Sequence, residues 1–196
     1  AVSFLPPVGS PGPAVVDIGH VLRLVVLDTQ VRLREAAERD GGPATPPTDA
    51  FGDSLGAAIE SAGERRVVVL GHHPLASGGP HGGRFGWRDH VFPLRQINSS
   101  LWIPLPILGS VYPLARKRGV SAQDLSHPSY RKMVGRIEAA LRPRHPLIYA
   151  SGHEHNLQVV RGGAAEYLLI SGAGSYHHTS RASRISGTQF ASSDAG

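Results

Sequence analysis

Short apolar runs alternate with amphipathic stretches along the 196-residue chain. The runs are rich in Val, Leu and Ile, which is typical of buried β-strands, and they cover residues 14–18, 22–28, 66–70 and 147–151. Apolar residues at helical spacing predict two amphipathic helices, at 51–62 and 128–141. The resulting order of strand, helix, strand, helix, strand predicts an α/β fold with a layered sheet.

Two of the predicted strands run directly into Gly-His. In LIYASGHEHNLQVV, residues 147–160, the apolar run stops near Gly152 and is followed by His153 and His155. Side chains at i and i+2 of an extended segment point to the same side, so these two imidazoles can converge on one object. Imidazole nitrogens suit zinc, iron or manganese, but two ligands do not complete a site that needs three or four.

The same design occurs upstream, in RRVVVLGHHPLASGGPHGG, where an apolar run is broken by Gly71 and followed by His72 and His73. His81 lies nine residues after His72, in a loop rich in Gly and Pro that can approach a small anion closely. Ligands of open α/β sheets bind at the carboxyl ends of strands, where these residues are predicted to lie. His73 points to the opposite side if the segment is extended, which favours a packing or supporting role.

The segments GHHPLASGGPHGG and GHEHNLQ resemble the second half of the calcineurin-like metallophosphoesterases, most closely the purple acid phosphatase branch. LRLVVLDTQ and YLLISGAGSYHHTS are similar to two further strand ends of that family, so the resemblance covers most of residues 14–194. It implies an α/β/β/α sandwich in which His72 and His153 bind one metal of a two-metal centre and His155 binds the other. The two ions would be divalent or mixed-valence Fe, Zn or Mn.

The activity implied by this resemblance is hydrolysis of phosphoric esters by metal-activated water. His81 would be the catalytic residue that hydrogen-bonds a phosphate oxygen or protonates the departing alkoxide, a role suited to a pKa near 6.5. The partner is therefore a phosphoester substrate. The alternative is a non-catalytic or membrane-surface binding module that retains the phosphoesterase fold.

The early motifs of the family, Asp-x-His, Gly-Asp-x-x-Asp and Gly-Asn-His-Glu or Asp, do not occur in this sequence. The sequence begins with Ala1 and ends at GTQFASSDAG, where a strand is starting. We therefore expect residues 1–196 to be the carboxyl-terminal part of a single catalytic domain, a partial sandwich that needs its missing amino-terminal half. By itself this part is expected to be inactive.

Composition and charge limit the class of protein, the type of metal ligand and the kind of binding partner. Hydrophobic residues make up 40% of the chain and charged residues 18%, as in globular proteins, and the absence of Cys excludes thiolate ligands. The formal net charge of +5 and the pI near 10.1 invite a nucleic-acid interpretation. ARKRG at 115–119 is the only tight basic cluster and aromatic residues are only 6%, which disfavours nucleic acid as a partner. Localisation is not determined by these features.

An apolar insertion at about 99–119, SSLWIPLPILGSVYPLARKRG, interrupts the α/β pattern. It is too short and too rich in Pro to span a bilayer. The favoured interpretation is a hydrophobic lid packed over the sheet. The second interpretation is a membrane-surface contact, with Trp102 and Tyr112 at the interface and Arg116, Lys117 and Arg118 on anionic headgroups.

The remaining candidates are assigned no chemistry. Asp28 is interpreted as a structural residue at a strand end, and His177 and His178 as an exposed loop pair. Four histidines do not belong to any recognisable motif; they are His20, His90, His127 and His145.

Overall fold

The computed structural model describes residues 4–7, 10, 12–38, 50–96, 98, 100–174 and 179–192. Within them, seven strands form one sheet: β1 (Ala14–Ile18), β2 (Leu22–Val26), β3 (Arg66–Gly71), β4 (Ile148–Ser151), β5 (Leu157–Arg161), β6 (Tyr167–Ser171) and β7 (Thr188–Ala191). The order across the sheet is β1-β2-β3-β4-β6-β5-β7. Strands β2, β3, β4 and β6 are parallel, whereas β1 and β5 run antiparallel to their neighbours.

Five helices accompany the described strands: α1 (Thr29–Glu38), α2 (Ala50–Glu60), α3 (Trp87–Val91), α4 (Val111–Lys117) and α5 (Pro128–Leu141). Helices α1 and α2 both pack against α5. The predicted α/β fold is confirmed, and α5 has the predicted bounds. Helix α1 begins directly after Asp28, which caps it by accepting hydrogen bonds from the backbone N–H groups of Gln30 and Val31, each at 3.0 Å.

The hydrophobic core lies on the face of the sheet that α1, α2 and α5 cover. Strand register places five buried residues side by side across this face: Val25, Val69, Tyr149, Leu168 and Val160. Helix α5 contributes Met133, Ile137 and Leu141, which are also buried, to the same cluster. The alternation of side chains along each strand thus aligns one apolar row per strand with the helices.

The opposite face of the sheet is also apolar but is only partly buried. Its aligned row contains Val26, Leu70, Ala150, Leu169 and Val159, and each of these residues is half-buried. Parallel strands that are apolar on both faces are typical of sheets with a layer packed on each side. The strands therefore have one fully covered face and one that retains accessible apolar surface.

The apolar insertion does not pack over the sheet, contrary to the interpretation favoured by its composition. Its side chains at Trp102, Ile107, Leu108 and Val111 are exposed. The segment instead forms a 3₁₀ turn at Leu108–Ser110 and helix α4, which contact α3 and the 3₁₀ turn Pro80–Gly82. None of the described helices has the length and apolar content needed to cross a membrane.

Two adjacent valines of β3 test the assignment of the two faces. We expect Val69→Ala, which removes two methyl groups from the helix-covered face, to lower the free energy of unfolding by about 2 kcal/mol. Val68→Ala, on the half-buried face, should lower it by less than about 1 kcal/mol. Urea denaturation measures both values, and equal losses would contradict the assignment.

Candidate metal centre

Hydroxyl groups from three elements fix the loop that follows β3. The backbone N–H of His73 donates to Thr29 Oγ1 at 3.0 Å. The Tyr149 hydroxyl donates to the His73 carbonyl and the Tyr130 hydroxyl donates to the Pro74 carbonyl, each at 2.9 Å. These hydroxyl-bearing residues come from α1, β4 and α5 and are all buried, so the loop has a defined path at the end of its strand.

The loops after β3 and β4 are joined directly. The backbone N–H of Gly152 donates to the carbonyl of His72 at 3.0 Å. Gly71 leaves room for the Tyr149 hydroxyl to reach the His73 carbonyl, because a Cβ at position 71 would lie 2.5 Å from that hydroxyl oxygen. Parallel pairing of β3 with β4 therefore ends in a bridge that holds the two Gly-His turns side by side.

The backbone of His153 is in the left-handed region, with φ of 65°. Side chains other than Gly adopt this region rarely, and it costs free energy that the surrounding structure must offset. Strained non-Gly residues cluster at functional sites, which makes the orientation of His153 a candidate functional feature.

The rings of His72 and His153 approach each other through one nitrogen atom from each ring. His153 Nδ1 lies 3.3 Å from His72 Nε2. His153 Nε2 lies 3.0 Å from the backbone carbonyl of Gln123, and a carbonyl can only accept, so Nε2 carries the proton and Nδ1 has the lone pair. Two nitrogens bound to one tetrahedral zinc at about 2.0–2.1 Å lie about 3.3 Å apart, so this pair fits a shared metal ion.

His73 completes a group of three histidines, His72, His73 and His153, in which one nitrogen from each lies within 4.8 Å of the others. Both of its ring nitrogens already have hydrogen bonds, Nε2 to Gln123 Oε1 at 3.0 Å and Nδ1 to Thr29 Oγ1 at 2.8 Å. His73 is fully buried. In this position it supports the neighbouring rings, and it would have to give up a hydrogen bond to ligate.

His81 stacks beside His153, with ring centroids 4.1 Å apart. Arg116 Nη2 donates to His81 Nδ1 at 2.7 Å, and Arg116 Nε donates to the buried carboxylate of Asp124 at 2.6 Å. Because Arg116 can only donate, the neutral His81 ring carries its proton on Nε2. Helix α4 is thus connected to the histidines through one guanidinium group.

His155 lies next to the group of three but is not part of it. It is half-buried, and its backbone carbonyl accepts a hydrogen bond from the backbone N–H of Ser180 at 2.7 Å. Burial is the main cause of the lowered pKa of His72 and of His81, and the neighbouring His155 ring adds to the lowering at both. The structure therefore brings His72 and His153 together and sets His81 and His155 around them; the ligand and catalytic roles of these residues stay predictions.

Burial keeps the histidines neutral. It lowers the pKa of His153 to about 3, and the neighbouring His81 adds to the effect. Burial also lowers the pKa of His73 and of His81 to about 4; beside His81, the Arg116 cation contributes in the same direction. The pKa of His72 is lowered as well, by burial first and then by His155. A neutral imidazole is the form that binds metal, so protons compete weakly at neutral pH.

Gln123, Arg116 and Glu154 support the site, and none of them was predicted from the sequence to belong to it. Glu154 is buried, and its Oε1 accepts from the Ser77 hydroxyl at 2.8 Å and the Gly82 N–H at 3.1 Å, which holds the loop that carries His81. Burial raises its pKa. The alternation in His-Glu-His does predict an opposite orientation for Glu154. No sequence motif marks Gln123, because its contacts form only through the fold.

Two of the four remaining described histidines have local structural roles. His127 caps α5 by accepting from the Ser129 N–H at 3.2 Å, and His90 Nδ1 lies 3.1 Å from the Ser110 hydroxyl. His177 and His178 lie outside the described residues.

Comparison with known proteins yields structural similarities only, since no family model and no curated protein matches the sequence. The structure is similar to GAP50, the anchor in the inner membrane complex of Plasmodium, with 15% identity and a TM-score of 0.47. It is also similar to purple acid phosphatase PPD1 from yellow lupin (Lupinus luteus) seeds, with 13% identity and a TM-score of 0.48. The alignments cover 93% and 98% of this chain but 43% and 29% of those chains, so this chain spans less than half of their length. Identities and TM-scores this low assign no activity.

The lowered histidine pKa values predict how the stability of the metal-free chain depends on pH. The folded pKa is about 4 for His73 and about 3 for His153, below the unfolded value of about 6.5. Between about pH 6.5 and pH 4 the unfolded chain therefore binds more protons, and the free energy of unfolding should fall as pH falls. Above this window the two rings contribute no pH dependence.

Urea unfolding in the presence of a chelator, at steps from pH 7 to pH 4, measures this slope. His73→Gln removes one of the titrating groups and should make the slope shallower. Identical slopes for the wild-type chain and the variant would contradict the account of the buried rings.

Proposed function

We propose that His72 and His153 bind one transition-metal ion, and that this centre is the histidine part of a two-metal site for the hydrolysis of phosphoric esters. The observation that carries the proposal is the 3.3 Å separation of His72 Nε2 and His153 Nδ1, combined with the hydrogen bond from His153 Nε2 to the Gln123 carbonyl. Metal-binding histidines typically donate their other ring N–H to such a carbonyl, which orients the ring and fixes its tautomer.

The donor set fits a metal of intermediate softness. Neutral imidazoles suit zinc, iron and manganese, and the lowered pKa of both His72 and His153 weakens competition by protons at neutral pH. The group of three contains no carboxylate. A second, His155-bound ion and a bridging carboxylate therefore require donors of the kind that the early family motifs supply, and those motifs are absent from this sequence.

In the proposed reaction, His72 and His153 would hold the metal, which would supply a hydroxide nucleophile near neutral pH. The residues of this chain hold and orient the reactants. His81 carries its N–H at Nε2, because Arg116 occupies its Nδ1, and this N–H would donate to a phosphate oxygen in place of its interaction with the Gln123 backbone. With a pKa of about 4, His81 is mostly neutral at pH 7, which favours hydrogen-bond donation over transfer of a proton to the leaving group.

The second candidate function is a non-catalytic binding module that keeps the phosphoesterase fold. The observation that favours it is the absence of a carboxylate from the described histidine group, because two cations without a bridging anion repel one another. The two candidates differ in whether metal binding leads to turnover.

Metal titration tests the proposed centre. Co²⁺ added to the chain should give the visible absorption of a nitrogen-ligated ion, and His153→Ala should weaken binding at least tenfold because it removes one of two close donors. His20→Ala, an exposed position in the turn between β1 and β2, is the matched control and should bind as the wild type does. Equal binding by all three proteins would refute the His72–His153 centre.

Assays of phosphoester hydrolysis distinguish the two candidate functions. We expect no measurable hydrolysis of p-nitrophenyl phosphate by these 196 residues alone with Mn²⁺, Fe²⁺ or Zn²⁺. A longer protein that combines this chain with the three early motifs should hydrolyse it and lose most activity on His153→Ala. His81→Ala in that protein should lower kcat by about 10²- to 10⁴-fold. Activity that survives both substitutions would show that phosphoester chemistry occurs elsewhere.

A further inference from the structure

A large apolar surface lies on the segment between residues 84 and 120. We call it the lid patch and define it by six exposed side chains, Trp87, Trp102, Ile103, Ile107, Leu108 and Val111. Ile107 is 84% exposed, and the two Trp residues, the only ones in the sequence, are 64% and 51% exposed. Trp is highly buried on average, and contiguous apolar patches on soluble proteins usually mark an interaction site.

The net charge of the chain resides in the same segment. Residues 84–120 contain six of the twenty basic residues and one of the fifteen acidic residues, so they account for the whole formal charge of +5. The one acid, Asp89, accepts a hydrogen bond from the Gly86 N–H at 2.7 Å. The segment that carries the lid patch therefore combines exposed apolar side chains with a formal net charge of +5.

Not every Arg or Lys side chain of this segment can contact a binding partner. Arg116 was assigned to headgroups from the sequence, but it is bound between Asp124 and His81 inside the protein. Its neighbours Lys117 and Arg118 are exposed, as is Arg88. Charge contacts of the patch are thus expected from these three residues.

Arginine and aromatic side chains are interleaved on the patch. The Arg95 guanidinium lies 3.9 Å from the ring centroid of Trp102. The Arg88 guanidinium lies 5.6 Å from the Trp87 ring and 6.0 Å from the Trp102 ring. Such pairs place an amphipathic ring and a cation at the same depth, as at the headgroup level of a bilayer.

We propose that the lid patch binds the surface of an anionic lipid bilayer. Ile107, Leu108 and Val111 enter the boundary of the acyl chains, the tryptophans lie at the headgroup level, and the surrounding bases meet lipid phosphates and carboxylates. A second copy of the chain is the poorer occupant, because two patches of the same charge would repel one another. Nucleic acid is also a poorer occupant, because its binding depends mainly on basic contacts to phosphates, whereas the six side chains that define the patch are all apolar.

Vesicle binding of the 196-residue chain tests the proposal. The chain should co-sediment with phosphatidylcholine vesicles that contain phosphatidylserine, and much less with pure phosphatidylcholine. Because both tryptophans lie on the patch, their fluorescence should shift to shorter wavelength on binding. Absence of either effect with the anionic vesicles would overturn the proposal.

Charge-reversal variants and apolar-to-polar variants separate the electrostatic and the hydrophobic contributions to vesicle binding. Each Lys or Arg side chain near an anionic surface strengthens binding to that surface about fivefold. The double substitution Lys117→Glu with Arg118→Glu should therefore weaken binding to the anionic vesicles by more than about 25-fold. Arg131→Glu with Lys132→Glu, an exposed adjacent pair on α5, is the matched control and should keep binding close to the wild type. Ile107→Ser should weaken binding several-fold, whereas Val21→Ser, also exposed, should not.

The remaining outcomes identify other occupants. If the two charge variants lose binding equally, attraction is non-specific and the patch has no special role. If Ile107→Ser binds as the wild type does while duplex DNA competes with the vesicles, the surface is a nucleic-acid site. If the wild-type chain instead forms dimers that Ile107→Ser disrupts, the patch is an interface between copies. Each of these results contradicts the proposal.

Discussion

The pairing of β3 with β4, closed by the hydrogen bond from Gly152 N–H to the His72 carbonyl, is the interaction on which the candidate site depends. Parallel strands end at the same edge of a sheet, so two Gly-His turns that are far apart in sequence become neighbours. The hydroxyl groups of Thr29 and Tyr149 then fix the first turn, and the left-handed backbone of His153 directs the second. Without this pairing, the two imidazoles would have no shared position.

Much of the fold follows from patterns that are local in the sequence. Helix α5 was predictable because Pro128 occupies its first turn and apolar residues follow at helical spacing, and β3 and β4 were predictable as short apolar runs that end near Gly. The meeting of His72 with His153 also follows from sheet topology. These features require only periodicity and the rule that ligands gather at strand ends.

The supporting contacts were not predictable, because they depend on how loops lie in space. Gln123 reaches His73 through its side chain and His153 through its carbonyl, from a stretch with no motif. Arg116 looks like part of a surface basic cluster, yet the buried Asp124 eight residues later draws it inwards to His81. The apolar insertion was expected to cover the sheet, but its prolines and short turns leave the side chains exposed on the lid patch instead.

A crystal structure of the chain grown with Zn²⁺, with diffraction measured on both sides of the zinc absorption edge, would show whether the His72 and His153 rings share one metal ion. We expect one anomalous peak at about 2.0–2.1 Å from both His72 Nε2 and His153 Nδ1, with the His153 Nε2 hydrogen bond to the Gln123 carbonyl intact. A peak bound through His153 Nε2, or no peak between these two rings at saturating zinc, would contradict the shared metal ion.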